Sequence, residues 1–278
     1  MTTNGRYPRV VALVGPAGAG KTSLAEAMLF ATGAIARQGA VDAGSSVGDG
    51  SAEARGRGGS TELNLMRIDN QGEQFVIIDA PGSPGFSADA TLAVEASDLA
   101  IVVIDSDPAR AALVEPTLRW LEEKGVPHAL FVNKIDQARG HVEELLTALE
   151  PMSAAALVAR QIPIREGDRV IGFVDLALER AYHYEAGKAS HQVPLDEGLR
   201  AQEASARAHM LEQLADHDDL LLEQIISDEA PSLATVFGDL ASETKEGGKE
   251  MGVWSGGAFF PFPASVPPGK DEAAPLAL

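Results

Sequence analysis

An eight-residue loop of the pattern G-x-x-x-x-G-K-T constrains this chain more than any other feature. The loop lies between an apolar run, Val10–Val14, and a helical pattern, Thr22–Ala31. In this strand–loop–helix order, glycines let the backbone curl until several N–H groups point inward and hold a phosphate. The predicted phosphate-binding residues are Gly15, Pro16, Ala17, Gly18, Ala19, Gly20, Lys21 and Thr22.

The last two residues of the loop carry most of its chemistry. The Lys21 ammonium can reach the β- and γ-phosphates of a nucleotide, and the Thr22 hydroxyl can ligate Mg²⁺. The alternative is a Gly- and Ala-rich turn with a stray lysine, which the flanking strand and helix patterns disfavour.

Composition and charge exclude several other classes of protein. The 278 residues include no cysteine, which rules out disulfides and thiolate metal sites. A net charge of −19 argues against non-specific binding of nucleic acid. The first nine residues lack the apolar core of a signal peptide, and no apolar run approaches the ~20 residues of a membrane helix. We therefore expect a cytoplasmic monomer without membrane contact.

Strand-like runs alternate with helical patterns through the first half of the chain, which predicts an α/β fold. We expect the P-loop NTPase type, a mostly parallel sheet with helices on both faces, plus an inserted α+β subdomain. The predicted division is a nucleotide-binding domain over 1–150, the insert over 151–246, and an irregular Gly- and Pro-rich tail over 247–278.

Local patterns give more detailed predictions along the chain. The segment 33–60 is rich in Gly, Ser and Ala, which favours a mobile loop. A hairpin is expected with its turn at 70–72, because strand-like runs flank an Asn-x-Gly sequence. Within the insert we predict one strand over 157–164, a long helical region over 199–227, and a further helix over 231–246.

The sequence Asp79-Ala-Pro-Gly82 ends a predicted strand. A carboxylate there can hold Mg²⁺ through its water shell, and the N–H of Gly82 can bind a γ-phosphate. An ordinary Asp-Pro-Gly turn is the alternative, which the position downstream of a phosphate loop disfavours.

The sequence Asn133-Lys134-x-Asp136 follows a second buried strand and distinguishes between nucleotides. The Asp136 carboxylate can accept hydrogen bonds from N1–H and the 2-amino group of guanine, a donor pair that adenine lacks. Asn133 can contact N7 of the base, and the aliphatic stem of Lys134 can cover it. These residues therefore predict binding of GTP and GDP.

Taken in order, these three motifs resemble those of a translational GTPase. The likeness is to the amino-terminal GTPase domain of a divergent elongation factor G-like protein, and it covers roughly residues 8–246. Supporting stretches are 79–86, 125–136, 161–164 and 172–176. The resemblance implies a GTPase that acts in translation with Mg²⁺ as cofactor and the ribosome as partner.

Departures from the family's pattern concern hydrolysis. The family has a water-positioning histidine where this chain has Ser83, which is shorter and carries no charge. The resemblance thus implies Lys21 and Ser83 as catalytic residues, with slow hydrolysis. Where the family has Arg-Gly-Ile-Thr, this chain has Ser60 and Thr61, and we take Thr61, with Thr22 and Asp79, as the magnesium set.

Two alternatives remain open. Ser83 also favours a second interpretation, in which the chain is a GTP-binding regulatory module that does not hydrolyse its nucleotide. The Phe- and Pro-rich sequence after 258 suggests a fragment of a larger elongation factor whose frame is truncated or shifted. In that case Ser255–Ala258 is the remnant of a further guanine-contacting segment.

Overall fold

The computed structural model describes residues 7–70, 72–137, 142–154, 156–184, 190–215, 218–227, 231–232, 235–236 and 250–255. The chain forms two compact units, Met1–Ile104 and Asp105–Leu278. Among the described residues, no helix combines the length and hydropathy needed to span a bilayer.

The first unit is built on a strand that is buried because it is apolar on both faces. Its elements are β1 (Arg9–Val14), α1 (Lys21–Ala31), α2 (Ala52–Arg57), β2 (Asn64–Asn70), β3 (Glu73–Asp79), α3 (Ser87–Glu95) and β4 (Leu99–Asp105). Strand β1 pairs in parallel with β3 on one side and β4 on the other, while β2 is antiparallel to β3. The pairing sets Leu13 beside Asp79, so β1 and β3 end at the same edge.

The second unit contains three strands paired in parallel and a separate antiparallel sheet. Its helices are α4 (Glu115–Lys124), α5 (Val142–Leu149), α6 (Glu197–Ala215) and α7 (Asp219–Ile226). Its strands are β5 (His128–Asn133), β6 (Ala156–Ala159), β7 (Gln161–Glu166), β8 (Arg169–Asp175), β9 (Arg180–His183), β10 (His191–Val193) and β11 (Glu250–Ser255). Strand β11 pairs in parallel with both β5 and β6, and the order of the antiparallel sheet is β10-β9-β8-β7.

The predicted fold class is confirmed: a mostly parallel α/β sheet structure with an additional antiparallel sheet. The hairpin of β2 and β3 is also present, and its antiparallel register runs from Asn64 opposite Asp79 to Asn70 opposite Glu73. Four short 3-10 helices, at 84–86, 108–113, 135–137 and 150–152, lie among the described elements.

Two predictions in the second half of the chain are wrong. The single strand expected over 157–164 is two strands, because the chain changes sheets at Arg160: β6 joins the parallel sheet and β7 the antiparallel one. The tail expected to be irregular over 247–278 contains β11, which is held between two parallel neighbours. The rest of that tail, most of the helix expected over 231–246 and all of the proposed remnant Ser255–Ala258 except Ser255 lie outside the described residues.

The long helical region predicted over 199–227 is interrupted. Asp218 caps the second helix, since its carboxylate accepts hydrogen bonds from the backbone N–H groups of Leu220 and Leu221 at 2.7 and 3.2 Å. The cluster that these two helices bury includes Met210, Leu214 and Leu221. The interruption therefore leaves apolar residues of both α6 and α7 in one core.

A buried histidine at the start of β5 links stability to pH. His128 is 5% exposed, and its Nδ1 lies 2.7 Å from the carbonyl oxygen of Val126. Burial lowers the pKa of His128 below its ordinary value. As the pH falls, the unfolded chain therefore binds this proton before the folded chain does, and the free energy of unfolding decreases below about pH 6.5.

We predict that His128→Asn weakens this acid sensitivity. The asparagine amide keeps a donor for the carbonyl of Val126 but does not titrate. Urea unfolding at about pH 7.5 and about pH 5.5 should show a smaller loss of unfolding free energy in the variant than in the wild-type chain. Equal losses would contradict the assignment of the effect to His128.

Candidate functional site

The phosphate loop has the backbone that its glycines predict. Gly15, Gly18 and Gly20 all have positive φ, at 125°, 76° and 93°, and Gly20 is the residue that precedes α1. A Cβ atom on Gly15 would lie 2.3 Å from the carbonyl oxygen of Val103, so this position admits no side chain. The loop therefore curls tightly at the end of β1 and directs the chain into α1.

Lys21 is buried within the loop that precedes it. Its side chain is 6% exposed, and Nζ donates to the carbonyl oxygens of Gly15 at 2.9 Å and Pro16 at 3.0 Å. Burial lowers the pKa of Lys21, while the charges of Asp79 and Asp49 oppose that shift. The ammonium group thus lies within the loop, and the negative charges of two nearby carboxylates compensate its positive charge.

The segment that follows β3 lies directly against this loop. A Cβ atom on Gly82 would lie 2.3 Å from Lys21 Nζ, 2.5 Å from the Gly15 carbonyl oxygen and 2.7 Å from the Ala17 nitrogen. Only glycine fits this approach. The structure therefore brings Lys21 and Gly82 together, as their predicted roles at one phosphate group require.

Oxygen atoms from four residues meet at the start of α1. Thr22 Oγ1 donates to Asp79 Oδ2 at 2.6 Å and lies 3.2 Å from Ser60 Oγ. Ser60 Oγ donates to Asp49 Oδ2 at 3.0 Å, and Thr22 Oγ1 lies 3.4 Å from the same oxygen. Two carboxylates and two hydroxyls thus form one group, which we name the oxygen cluster: Thr22, Asp49, Ser60 and Asp79.

Asp49 is the member of the oxygen cluster that sequence reasoning missed. It is 5% exposed and has a positive φ of 55°. Asn64 fixes it at both ends, because Asn64 Nδ2 donates to Asp49 Oδ1 at 2.9 Å and the Asp49 N–H donates to Asn64 Oδ1 at 3.0 Å. The sequence feature that could have identified Asp49 is its position between Gly48 and Gly50. Aspartate is one of the few residues other than glycine that tolerate positive φ.

The oxygen cluster has the chemistry of a magnesium site. Hard divalent cations prefer oxygen ligands, and this group offers carboxylate and hydroxyl oxygens only. Asp79 is fully buried, and within the described residues its Oδ1 has no hydrogen-bond partner. Burial raises the pKa of Asp79 to about 6, against the opposing effects of Thr22 and Lys21. A buried carboxylate oxygen without a partner fits a metal ion or one of its water ligands.

Ser60, and not its neighbour, supplies the second hydroxyl of the oxygen cluster. The prediction from the sequence left both Ser60 and Thr61 open and took Thr61 as the ligand. The Ser60 hydroxyl is part of the oxygen cluster, and no hydrogen bond of the Thr61 side chain occurs among the described contacts. The assignment of Thr61 stays a prediction.

Ser83 follows Gly82 at the start of a 3-10 turn. Its carbonyl oxygen accepts a hydrogen bond from the Phe86 N–H at 2.9 Å, and its side chain is half-buried. The chain direction here is set by Pro84, the first residue of the turn. Ser83 therefore lies one residue beyond the glycine that touches the phosphate loop.

The second unit holds the residues predicted to recognise the base. Asn133 ends β5 and is buried, Lys134 has a positive φ of 57°, and Asp136 is exposed in a 3-10 turn. Lys134 Nζ donates to Asp105 Oδ2 at 3.0 Å, and its carbonyl oxygen accepts from Ser106 Oγ at 2.9 Å. The lysine is thus fixed at both its side chain and its backbone.

Asp105, the last residue of β4, contacts this lysine. The 3-10 turn that follows is capped by Asp107, whose carboxylate accepts a hydrogen bond from the Ala109 N–H at 3.0 Å. Asp105 instead forms ion pairs with Lys134 at 3.0 Å and Arg110 at 3.2 Å. It orients the aliphatic stem that is predicted to cover a base.

Comparisons with known proteins agree with this geometry. The profile of the elongation factor Tu GTP-binding domain matches residues 7–230. An elongation factor G-like protein of Synechocystis sp. is 36% identical over 235 residues, which cover 84% of this chain and 35% of that protein. Peptide chain release factor 3 of Lactobacillus johnsonii is 31% identical over 229 residues, which cover 80% of this chain and 44% of that protein.

A solved structure shows the same fold. A crystal structure from Thermus thermophilus has a TM-score of 0.82 and 27% identity to this chain, and the match covers 90% of this chain and 37% of that one. The chain thus spans less than half the length of each of these relatives.

We predict that Asp79→Asn changes how stability depends on pH in the absence of divalent cations. The raised pKa means that the folded chain holds the Asp79 proton more tightly than the unfolded chain, so this contribution to stability is lost as the pH rises through about 6. Asparagine cannot lose a proton, and it keeps an acceptor for Thr22. Between about pH 5 and about pH 7.5, the stability of the variant relative to wild type should rise by about 1 kcal/mol.

Thermal or urea unfolding in EDTA measures this difference. The control is Asp69→Asn, because Asp69 is exposed and lies outside the oxygen cluster. A constant difference between Asp79→Asn and wild type over this pH range would show that the pKa of Asp79 is not raised in the folded chain.

Proposed function

The chain belongs to the family of the elongation factor Tu GTP-binding domain, and we propose that it binds GTP and GDP with Mg²⁺ and hydrolyses GTP. The observation that carries this proposal is the oxygen cluster beside a buried lysine. Thr22 and Asp79 lie in contact at the start of α1, and Lys21 lies in the curled loop before it. Phosphoryl transfer needs such an arrangement, since catalysis there is mostly positioning and charge neutralisation.

We propose that the loop residues 15–22 and the N–H of Gly82 bind the phosphates. The ammonium of Lys21 exchanges its carbonyl partners for phosphate oxygens, which carry full negative charge and are stronger acceptors. Thr22 and Asp79 hold Mg²⁺, and Asp49 and Ser60 are two further candidates for its coordination shell. The ion supplies charge neutralisation on the β- and γ-phosphate oxygens.

Guanine recognition is assigned to Asn133, Lys134 and Asp136. Asp136 is exposed in a short turn, so its carboxylate is accessible to a base. The ion pair of Lys134 with Asp105 supports the proposal that the lysine stem forms one wall of the base site. The partner that the domain requires is therefore a guanine nucleotide.

Hydrolysis is assigned to Lys21 and Ser83, and we propose that it is slow without a partner that completes the site. Ser83 has a short side chain that carries no charge. General-base or water-positioning groups usually contribute ~10²–10⁴-fold to a rate, and a serine is a poor one. The same observation favours the second candidate function, a GTP-binding regulatory module without hydrolysis.

The names of the relatives suggest the cellular setting. An elongation factor G-like protein and a peptide chain release factor are both among them. We propose that this chain acts in translation in the cytoplasm, as a monomer, with the ribosome as its partner. We also propose that residues 1–150 form the GTP-binding domain and that an insert begins after residue 150.

Isothermal titration calorimetry with GTP, GDP and ATP, each with Mg²⁺ and with EDTA, tests the proposed function. We expect both guanine nucleotides to bind, ATP to bind far more weakly, and Mg²⁺ to strengthen GTP binding. Equal affinities for ATP and GTP would overturn the guanine assignment.

Asp136→Asn should shift the preference from guanine to xanthine. Xanthine carries a carbonyl at position 2 where guanine carries an amino group, so an amide donor suits xanthine and a carboxylate suits guanine. Titration with GTP and XTP should show weaker GTP binding and stronger XTP binding in the variant. Asp168→Asn is the matched control, because Asp168 is an exposed aspartate in the turn between β7 and β8, and it should leave both affinities unchanged.

Ser83→His should accelerate single-turnover GTP hydrolysis by about tenfold or more. An imidazole reaches further than a hydroxyl and can position a water molecule. Ser83→Ala is the control, and it should hydrolyse GTP no faster than the wild-type chain, with GTP affinity similar in all three proteins. If Ser83→His is no faster than Ser83→Ala, hydrolysis does not depend on this position.

A further inference from the structure

A buried carboxylate on α1 has no part in the function proposed so far. Glu26 has no exposed surface. Its Oε2 accepts a hydrogen bond from the Gly39 N–H at 2.8 Å, and its Oε1 accepts one from the Val47 N–H. Ionised acceptors make the stronger class of hydrogen bond, and buried carboxylates are costly unless they are satisfied in this way. Glu26 therefore joins both ends of the segment 39–47 to the helix.

Glu26 and Thr22 lie on the same face of α1. They are four residues apart, which places their side chains one above the other on a helix. The helix that presents Thr22 to the oxygen cluster thus also presents Glu26 to the segment 39–47.

The segment between these two attachment points is closed on itself. The Ser45 N–H donates to the Ala40 carbonyl oxygen at 3.1 Å, and the Ala40 N–H donates to Ser45 Oγ at 3.0 Å. A Cβ atom on Gly39 would lie 2.3 Å from the carbonyl oxygen of Ser45, so the backbone segments on the two sides of this turn are in contact. Most side chains of the segment are exposed, and no residue in it is buried. Its attachment therefore depends on polar contacts such as those of Glu26, and not on an apolar core.

The chain passes from this attachment directly into the oxygen cluster. Only Gly48 separates Val47, which is bound to Glu26, from Asp49. Gly48 is buried, and a Cβ atom there would lie 2.9 Å from Met66 Cε and 3.1 Å from Asn64 Cγ. The attachment of the Val47 backbone to Glu26 thus limits where the Asp49 backbone can lie, in addition to the contacts of Asp49 with Asn64.

We propose that Glu26 is a positioning residue that holds residues 39–47 on α1 and thereby sets Asp49 in the oxygen cluster. The proposal rests on the function given above, because its consequence is that Mg²⁺-dependent nucleotide binding requires a side chain that touches neither the metal nor the nucleotide. Release of the Glu26 contacts frees residues 39–47 and withdraws Asp49 from Thr22 and Ser60.

Three variants test the proposal. Glu26→Ala removes both acceptors, and Glu26→Gln retains one acceptor oxygen and replaces the other with a donor. The matched control is Thr32→Val at the C-terminal end of the same helix, which loses hydrogen bonds to the carbonyl oxygens of Met28 and Leu29, two residues of α1 itself. This control measures how a loss of stability in α1 alone affects Mg²⁺-dependent GTP binding.

The first measurement is the Mg²⁺ concentration that gives half-maximal retention of GTP. Outer-shell partners of a metal site typically change metal affinity by ~10–100-fold. We expect Glu26→Ala to raise this concentration about tenfold, Glu26→Gln to raise it less, and Thr32→Val to leave it unchanged. Affinity for GTP measured in EDTA should be similar in all four proteins. Equal effects of Glu26→Ala and Thr32→Val would overturn the proposal, since both would then act through helix stability alone.

The second measurement separates this proposal from the proposed function. Hydrogen exchange of the Asp49 amide, which donates to Asn64 Oδ1, reports the position of Asp49 without nucleotide. We expect faster exchange at the amides of Gly39, Val47 and Asp49 in Glu26→Ala, with unchanged exchange in β1 and β3. If the wild-type chain binds no guanine nucleotide, the proposed function fails, and this measurement alone decides the role of Glu26. If the Asp49 amide of Glu26→Ala exchanges at the same rate as in the wild-type chain, the proposed positioning role of Glu26 is overturned.

Discussion

The hydrogen bond from Thr22 to Asp79 is the contact on which the candidate site depends. It joins the start of α1 to the last residue of β3. Helix α1 follows β1 through the phosphate loop, and β1 pairs in parallel with β3, so both segments lie at one edge of the sheet. The bond keeps a carboxylate buried next to a buried lysine, and burial raises the pKa of that carboxylate. The charges of Lys21 and Asp49 both act on Asp79, whose Oδ1 has no hydrogen-bond partner within the described residues. Such a group of charges favours ligands that bring both a cation and phosphate oxygens.

The sequence predicted the parts of this site that lie at strand ends. Apolar runs such as Val10–Val14 identify buried strands, and the carboxyl ends of parallel strands gather at one edge. Each motif lies within a few residues of such an end, so local spacing was sufficient to place Lys21, Thr22, Asp79 and Gly82 together. The family resemblance is confirmed by the match over residues 7–230. The roles of individual residues stay predictions.

The missed features depend on contacts between distant residues. Asp49 lies in a Gly-rich segment for which composition predicts mobility, yet it is fixed by Asn64 and Ser60. Glu26 resembles any acidic residue of an amphipathic helix until its two amide partners, 13 and 21 residues away, are known. Strand β11 was missed for a similar reason, since its parallel neighbours β5 and β6 come from a different part of the chain. Local periodicity carries no information on such pairings.

The change of sheet at Arg160 constrains the length of the connection between β6 and β7. Arg160 is buried, its guanidinium lies 3.6 Å from Asp175, and its carbonyl oxygen accepts a hydrogen bond from the Leu176 N–H at 3.0 Å. The one-residue connection thus determines which side chains of β7 face inward relative to those of β6. Because side chains alternate along a strand, adding or deleting one residue here would turn every inward side chain of β7 outward. Homologous chains should therefore keep the length of this connection constant even where they vary its sequence, and length changes should accumulate elsewhere in the second unit.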